Sequence, residues 1–340
     1  AQFYTPRNIE AISHYIEEKK IDVILDYSHL ITGDTKRYYQ EIKQRKPEIK
    51  IFTMIHNCPS HTTQLQTYKL SYLRLKEVHN AKQLFQWACP WLYIQLLKKV
   101  VAKQNRSAYD TLDEVVLLSP SYIPEFKKLI KEKNADRLSA IPNSIRPVES
   151  HIPIEDKEKE IVFVGRMEAE KAVHKLLKIW EMIADKLPDW RLTLVGGGSQ
   201  YNAIEEFIRK KKLQRVQLTG HQMAIPYIDR ARIICLTSII EGLPTVFVEA
   251  MSLGVVPVAF ASFNAIYDMI EDGKNGFIVP ENHYKEYAFI LLRLANDDSL
   301  RRQVATIAQS QKERYNIEYI GPLWMELFKK HGLIKRIEEK

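Results

Sequence analysis

Residues 233–258 read IICLTSIIEGLPTVFVEAMSLGVVPV, and this stretch decides the fold. Ile233-Ile234-Cys235-Leu236 is a short, wholly apolar run of the kind that is buried on both faces of a parallel sheet. A loop holding Glu241 and Gly242 follows. Thr245 then suits an N-cap or first-turn position, the residues up to Leu253 read as helix, and Gly254 sits at its C-terminal end. Val255-Val256-Pro257-Val258 opens the next apolar run. Strand, glycine-containing loop, helix, strand is a phosphate-friendly arrangement: the N–H groups of a helix N-terminus lack intrahelical partners, and the helix dipole favours an anion there. Glu241 lies ahead of the loop and Glu249 lies inside the helix, about one turn after Thr245. Carboxylates at these places accept hydrogen bonds from hydroxyls such as those of a sugar or ribose. Two glutamates at this spacing are common by chance. Gly242, Pro244 and the Gly-Val-Val-Pro-Val run from 254 to 258 make the pattern specific.

The same alternation extends in both directions. Strand-like runs occupy residues 22–26, 50–55, 114–118 and 138–141, then 160–164, 191–195, 216–218, 233–236 and 256–259. Helical patterns at 171–186, 201–212 and 284–296 lie between them. Strands that alternate with helices predict an α/β, doubly wound architecture. The 340-residue length suits two such domains. Pro147, Pro153 and the charged run from Glu155 to Lys159 predict a linker over 146–159. The predicted division is an N-terminal domain at 1–148, a second domain at 149–315 and a closing helix at 316–340.

Composition narrows the classes. With 45% apolar and 27% charged residues the chain is neither disordered nor fibrous. Its cysteines, Cys58, Cys89 and Cys235, show no ligand spacing, so neither a structural zinc site nor a disulfide framework is expected, and the implied compartment is the reducing cytoplasm. No window reaches ~18 uninterrupted apolar residues, so no spanning helix is expected.

The net charge is +8. Residues 1–148 hold 23 Lys+Arg and 15 Asp+Glu, whereas residues 149–340 hold 27 of each, so the excess lies entirely in the first half. Such a half suits nucleic acid, an anionic membrane or an anionic ligand. Residues 83–104 add Leu84, Phe85, Trp87, Trp91, Leu92, Tyr93, Leu96 and Val100, with Lys98, Lys99 and Lys103 late in the run. This reads either as a helix at a membrane interface or as a core helix with a solvated lysine face.

The Glu-x7-Glu segment from Glu241 to Glu249 closely resembles the signature of retaining nucleotide-sugar glycosyltransferases of the GT-B fold, family four in particular. Further fragments match in order. They are Ile141-Pro142-Asn143-Ser144-Ile145; Phe163-Val164-Gly165-Arg166 with Glu170-Lys171; Leu194-Val195-Gly196-Gly197-Gly198; Val216 to His221; and Asp272 to Pro280. The resemblance implies two Rossmann-like domains facing a cleft. Arg166 and Lys171 would contact the donor diphosphate beside the amides of Gly242, Leu243, Pro244 and Thr245. Gly165, Gly196 and Gly197 would admit the nucleotide, the segment ending at His221 would frame the base, Glu249 would hold the ribose and Glu241 the transferred sugar. In the first domain, His56 at the end of strand 50–55 best matches a histidine that faces the transferred sugar; His61 is its neighbour and competitor. Such enzymes open with a strand and a glycine-rich turn. This chain starts inside a helix-like segment, so the N-terminal domain is expected to lack its first strands.

The implied activity is transfer from a nucleoside diphosphate sugar, UDP ahead of GDP, to a glycan or lipid-linked acceptor in cell-surface polysaccharide biosynthesis. No cofactor is implied. No Asp-x-Asp motif is present to hold a divalent ion, so the transfer is expected to be metal-independent. A non-catalytic subunit that binds the sugar nucleotide and a GT-B epimerase are the alternatives. A nucleic-acid partner is not expected, because no such motif is present and the basic residues are dispersed. The basic first half and residues 84–103 together suggest a peripheral enzyme on the anionic inner face of the cell membrane.

Overall fold

The computed structural model describes residues 5–27, 33–72, 79–134, 136–146 and 148–334. The chain divides into two compact units: residues 1–142 with 321–340, and residues 143–320.

The first unit runs α1 (Pro6–Glu18), β1 (Val23–Asp26), α2 (Gly33–Arg45), β2 (Lys50–Ile55), α3 (His61–Tyr72), α4 (Ala81–Ala88), α5 (Pro90–Thr111), β3 (Glu114–Leu117), α6 (Tyr122–Ile130) and β4 (Leu138–Ala140). Its four strands pair in parallel in chain order, β1-β2-β3-β4. β2 and β3 are inner strands, so all residues of β3 and all but the first of β2 are buried. The Thr5 side chain accepts from the Asn8 N–H, with Pro6 at the first helical position, and so starts α1. The strand predicted at 50–55 forms over those residues, and the other three are each shorter by one residue at one end.

The stretch at 83–104 departs from one of its two expectations. It folds as two helices, α4 and α5, which meet at Cys89 and Pro90, where the proline takes the first position of α5 because in a helix interior it would cost a hydrogen bond. It is not a core helix. No residue of α4 is buried, and in α5 only Val101, Ala108 and Tyr109 are.

The second unit runs β5 (Glu158–Val164), α7 (Val173–Ile183), β6 (Arg191–Val195), α8 (Tyr201–Lys211), β7 (Val216–Gly220), α9 (Ile225–Arg230), β8 (Ala231–Leu236), α10 (Thr245–Ser252), β9 (Val256–Phe260), α11 (Ile266–Met269), β10 (Phe277–Val279), α12 (Tyr284–Asn296), α13 (Asp298–Ser310) and α14 (Ile317–Lys330). From Gly321 onward α14 counts with the first unit. There Lys330 Nζ and His331 Nε2 reach the fully buried Glu114 carboxylate at 2.8 and 2.9 Å, which ties the C-terminal end of α14 to β3.

The sheet of the second unit is parallel, in the order β10-β9-β8-β5-β6-β7. From β5 the chain winds outward through β6 to β7, then returns to the other side of β5 with β8 and winds outward again. The direction of winding therefore reverses between β5 and β8, where Ile161 pairs Ile233 and Val162 pairs Ile234. Loops after two strands on either side of such a reversal diverge and leave a crevice at the strands' C-terminal ends. Phe163, Leu176, Trp180, Leu194, Ile233 and Val258 are among the residues of the core beneath.

Three-residue β10 had no counterpart among the expected strands. The helix expected at 171–186 is interrupted: Ala169–Lys171 forms a 3-10 turn, Ala172 adopts a left-handed conformation (φ 47°, ψ 41°), and α7 begins after it. Among the described residues no helix is long and apolar enough to cross a membrane.

Candidate active site

The crevice between β5 and β8 is bordered by the loop after β5, residues 165–172, and the loop after β8, residues 237–244. Main-chain bonds hold the two loops together: the Ile239 N–H donates to Glu170 O at 2.8 Å, and Thr237 Oγ1 donates to Ala172 O at 3.3 Å. Side chains add a second link. Lys171 Nζ lies 2.6 Å from Glu241 Oε1, and Ser238 Oγ donates to the same oxygen at 2.6 Å. The Lys171 and Glu241 side chains are only 19% and 10% exposed, so their attraction is less screened than that of a surface pair. The left-handed turn at Ala172 separates this 3-10 turn from α7, so Lys171 stands ahead of the helix instead of within it.

α10 begins at Thr245, with Pro244 as its N-cap. No side chain caps this end, and no acidic residue lies in its first turn. The N-terminal amides and helix dipole thus point toward the mouth of the crevice, a setting suited to phosphate. Leu243, Gly242 and Pro244 are buried, while Thr245 is exposed. Glu249 lies one turn further along α10, half-buried. Burial raises its carboxyl above the usual range, and no charged neighbour offsets this.

On the other flank the glycines close the strand ends together. The Gly165 N–H donates to Val195 O at 3.0 Å, the Met167 N–H to Gly197 O at 2.8 Å, and the Gly196 N–H to Gly220 O at 2.8 Å. Gly196 is at φ +137°, and a Cβ there would sit 1.9 Å from Gly165 O. Only glycine permits that approach. A Cβ on Gly197 would meet nothing within 4 Å, so this residue borders open space.

The predicted site residues therefore fall into groups. Lys171 and Glu241 touch. Gly165, Gly196 and Gly197 share the turn at the ends of β5 and β6, and Gly242, Leu243, Pro244, Thr245 and Glu249 form the loop and first turns on the β8 side. Arg166 stands apart from the Lys171–Glu241 pair: its side chain is 73% exposed and pairs with Glu170 at 3.1 Å. His221 follows β7 and is exposed. His56 belongs to the first unit, at the end of β2, where its ring stacks on Tyr27 with centroids 5.2 Å apart. Sequence reasoning missed Ser238, which gives Glu241 a second hydrogen bond, and gave no role to Glu170, which holds Arg166. Both contacts are short-range, three and four residues along the chain, but a serine or glutamate at that spacing in a loop carries no pattern of its own.

Residues 147–311 match the family described as glycosyl transferases group 1. An uncharacterized glycosyltransferase of Haemophilus influenzae is 30% identical over 219 residues, which is 64% of this chain and 61% of that protein. A Campylobacter jejuni alpha-1,4-N-acetyl-D-galactosaminyltransferase, whose name gives a diNAcBac-PP-undecaprenol-linked GalNAc acceptor, is 25% identical over 173 residues, 51% of this chain and 48% of that one. The chain thus matches about half to three-fifths of the length of these relatives. Anabaena Alr3699/HepE, solved in complex with UDP-glucose, aligns with a TM-score of 0.70 at 18% identity, over 95% of this chain and 82% of that one. Residues 147–311 thus match the glycosyl transferases group 1 family, and the chain has the GT-B fold, two parallel-sheet α/β units.

Proposed function

We propose that the chain is a glycosyltransferase that moves a sugar from a nucleoside diphosphate sugar, UDP ahead of GDP, to a glycan or lipid-linked acceptor in cell-surface polysaccharide biosynthesis, with retention of configuration and without a metal ion. The Lys171–Glu241 contact carries this reading. It sets a cation and a carboxylate at the β5/β8 reversal, beside the uncapped start of α10. Lys171 and the first-turn amides of α10 neutralise the departing diphosphate, and Arg166 exchanges Glu170 for a phosphate oxygen. Glu241 accepts a hydrogen bond from a hydroxyl of the transferred sugar, and Glu249 from a ribose hydroxyl. The turn at Gly196 and Gly197 leaves room for the nucleotide, with the base framed by the segment ending at His221. His56 is assigned to the transferred sugar on the family resemblance alone.

In the transfer, the acceptor oxygen forms a bond to the anomeric carbon as the bond from that carbon to phosphate breaks. The acceptor proton passes to the leaving phosphate on the same face. The reading of retention rests on the likeness of the Glu241-to-Glu249 segment to retaining transferases. The UDP-glucose bound by the Anabaena protein and the undecaprenol-linked acceptor of the Campylobacter relative support the donor and acceptor classes.

The test incubates the full chain with UDP-, GDP- and ADP-sugars and a panel of acceptors. Nucleotide release and the anomeric configuration of the product are read by NMR. Release of UDP with a product of retained configuration supports the reading. An inverted product overturns retention. Thermal stabilisation by UDP with no turnover of any donor points instead to a binding subunit.

A further inference from the structure

We propose that the α4–α5 elbow of the first unit is a docking surface for an anionic lipid membrane, on which the chain lies without crossing it. The elbow is a built feature: the Phe85 and Tyr93 rings meet edge to face at 6.4 Å and set the turn at Cys89 and Pro90. Outside that contact most of the large apolar side chains of the elbow face outward. Trp91 is 73% exposed, and Leu84, Trp87, Leu92, Leu96 and Val100 are all between 42% and 51% exposed. Leu92, Leu96 and Val100 recur every fourth residue, so they line one side of α5, opposite the buried Val101. Large apolar groups grouped in this way mark an interaction site, whereas a lone exposed leucine does not.

Charge selects the partner. Between Glu77 and Asp110 the sequence holds no acidic residue and five cations: Lys82, Lys98, Lys99, Lys103 and Arg106. Arg106 is taken up by Asp110 and Glu132, whereas none of the four lysines has an ion pair among the described residues. At 3.6 residues per turn Lys99 and Lys103 fall on the outward side of α5, beside the Leu92–Leu96–Val100 row. Tryptophan with aliphatic residues at one end of a helix and lysines further along is the pairing that places rings at the headgroup boundary and ammonium groups on lipid phosphate. A second copy of this chain packed here would bring two sets of unpaired lysines together, whereas an anionic lipid surface complements them. The surface lies wholly within the first unit, so the inference is independent of the donor site.

The experiment mixes the full chain with vesicles of pure phosphatidylcholine, or with about one-third phosphatidylglycerol added, at rising salt, and reads co-sedimentation and tryptophan emission. Binding is expected only with the anionic lipid, with a blue shift that Trp87→Phe/Trp91→Phe abolishes, and it is expected to weaken as salt screens the lysines. Each lysine near the surface contributes about fivefold, so Lys99→Gln/Lys103→Gln should weaken binding on the order of 25-fold. These side chains are exposed, so the variants should keep the parent's circular dichroism and melting temperature. Equal binding to both vesicle types, an undiminished double-lysine variant, or no blue shift would overturn the proposal. So would a concentration-dependent dimer in lipid-free buffer that Trp91→Ser dissolves, since that result assigns the face to a second copy.

Discussion

Lys171 and Glu241 stand 70 residues apart in the chain and meet at 2.6 Å across the reversal in the second sheet. The contact joins the loop after β5 to the loop after β8, so one pair both closes the crevice and presents charge inside it. Replacing Lys171 by Met takes the cation away from the mostly buried Glu241, which keeps its hydrogen bond from the Ser238 hydroxyl. Loss of one partner from such a pair costs about 1–3 kcal/mol of stability. Loss of a group that meets charge in the transition state costs about 100- to 1000-fold in kcat. Both losses are expected in Lys171→Met. In Lys171→Met/Glu241→Gln much of the stability should return, because no charge is left unmatched, while the rate stays low. Steady-state rates and thermal melts of the parent and the two variants decide this. A Lys171→Met protein that turns over like the parent removes Lys171 from the mechanism.

Glu249 carries the opposite signature. Burial raises its carboxyl, with no cation to offset it. In the unfolded chain the group ionises first as pH rises. Folding stability is therefore unaffected below the ordinary carboxyl value and falls as pH climbs through the ordinary value to the raised one. Glu249→Gln should be more stable than the parent at pH 7 and equal to it in strong acid. A carboxylate kept at such a cost fits a ligand hydroxyl, so the same variant should lose about 10- to 100-fold in UDP affinity. Calorimetric titration of UDP, with melts at both pH values, reads the two effects together. Unchanged UDP affinity would dissociate Glu249 from the ribose.

Much of this site is legible in the sequence because its signals are local. The inner strands read as unbroken apolar runs, so 50–55 and 191–195 come out to the residue. The loop from Glu241 to Thr245 is marked by Gly242, Pro244 and the helix that follows. What stays hidden is non-local or atypical. Ala172 adopts a left-handed conformation that sequence rules reserve for Gly or Asn, so nothing announces that the helix expected from 171 starts only at Val173. β10 is three residues long, too short for a pattern to emerge. The α4–α5 stretch has the composition of a core helix, and only the packing reveals that most of its large apolar residues face outward.

His174, at the start of α7, makes the fold acid-sensitive. Burial, and then the nearby Lys178 and Lys175, press its imidazole from 6.5 down to about 4. The native state therefore holds a neutral ring while the unfolded chain binds a proton at its ordinary value. Stability is complete above pH 6.5, falls as pH drops below it, and levels off near pH 4. Because the ring is partly exposed, the loss over this window should be about 1–2 kcal/mol after solvent screening. His174→Asn should flatten the window and leave other acid transitions in place. Urea unfolding at pH 7, 5.5 and 4 provides the comparison, and equal slopes in parent and variant would assign the acid response to other groups.

Gly196 and Gly197 are neighbours with opposite structural demands. At Gly196 a Cβ would overlap Gly165 O, and the positive φ adds strain, so Gly196→Ala must push β5 and β6 apart at their ends. The expected cost is at least about 3 kcal/mol, with nucleotide binding lost as a consequence of the displaced turn. At Gly197 a methyl group meets no atom within 4 Å, so Gly197→Ala should melt within a few degrees of the parent. If the open space beside it is where the nucleotide enters, that methyl group still obstructs the ligand, and UDP affinity should fall about tenfold or more in a fully folded protein. Paired melts and UDP titrations separate the two cases. A Gly197→Ala protein that binds UDP as the parent does would move the nucleotide away from the β6 turn, and a stable Gly196→Ala protein would show that the β5 and β6 ends do not pack as closely as Gly165 and Gly196 do here.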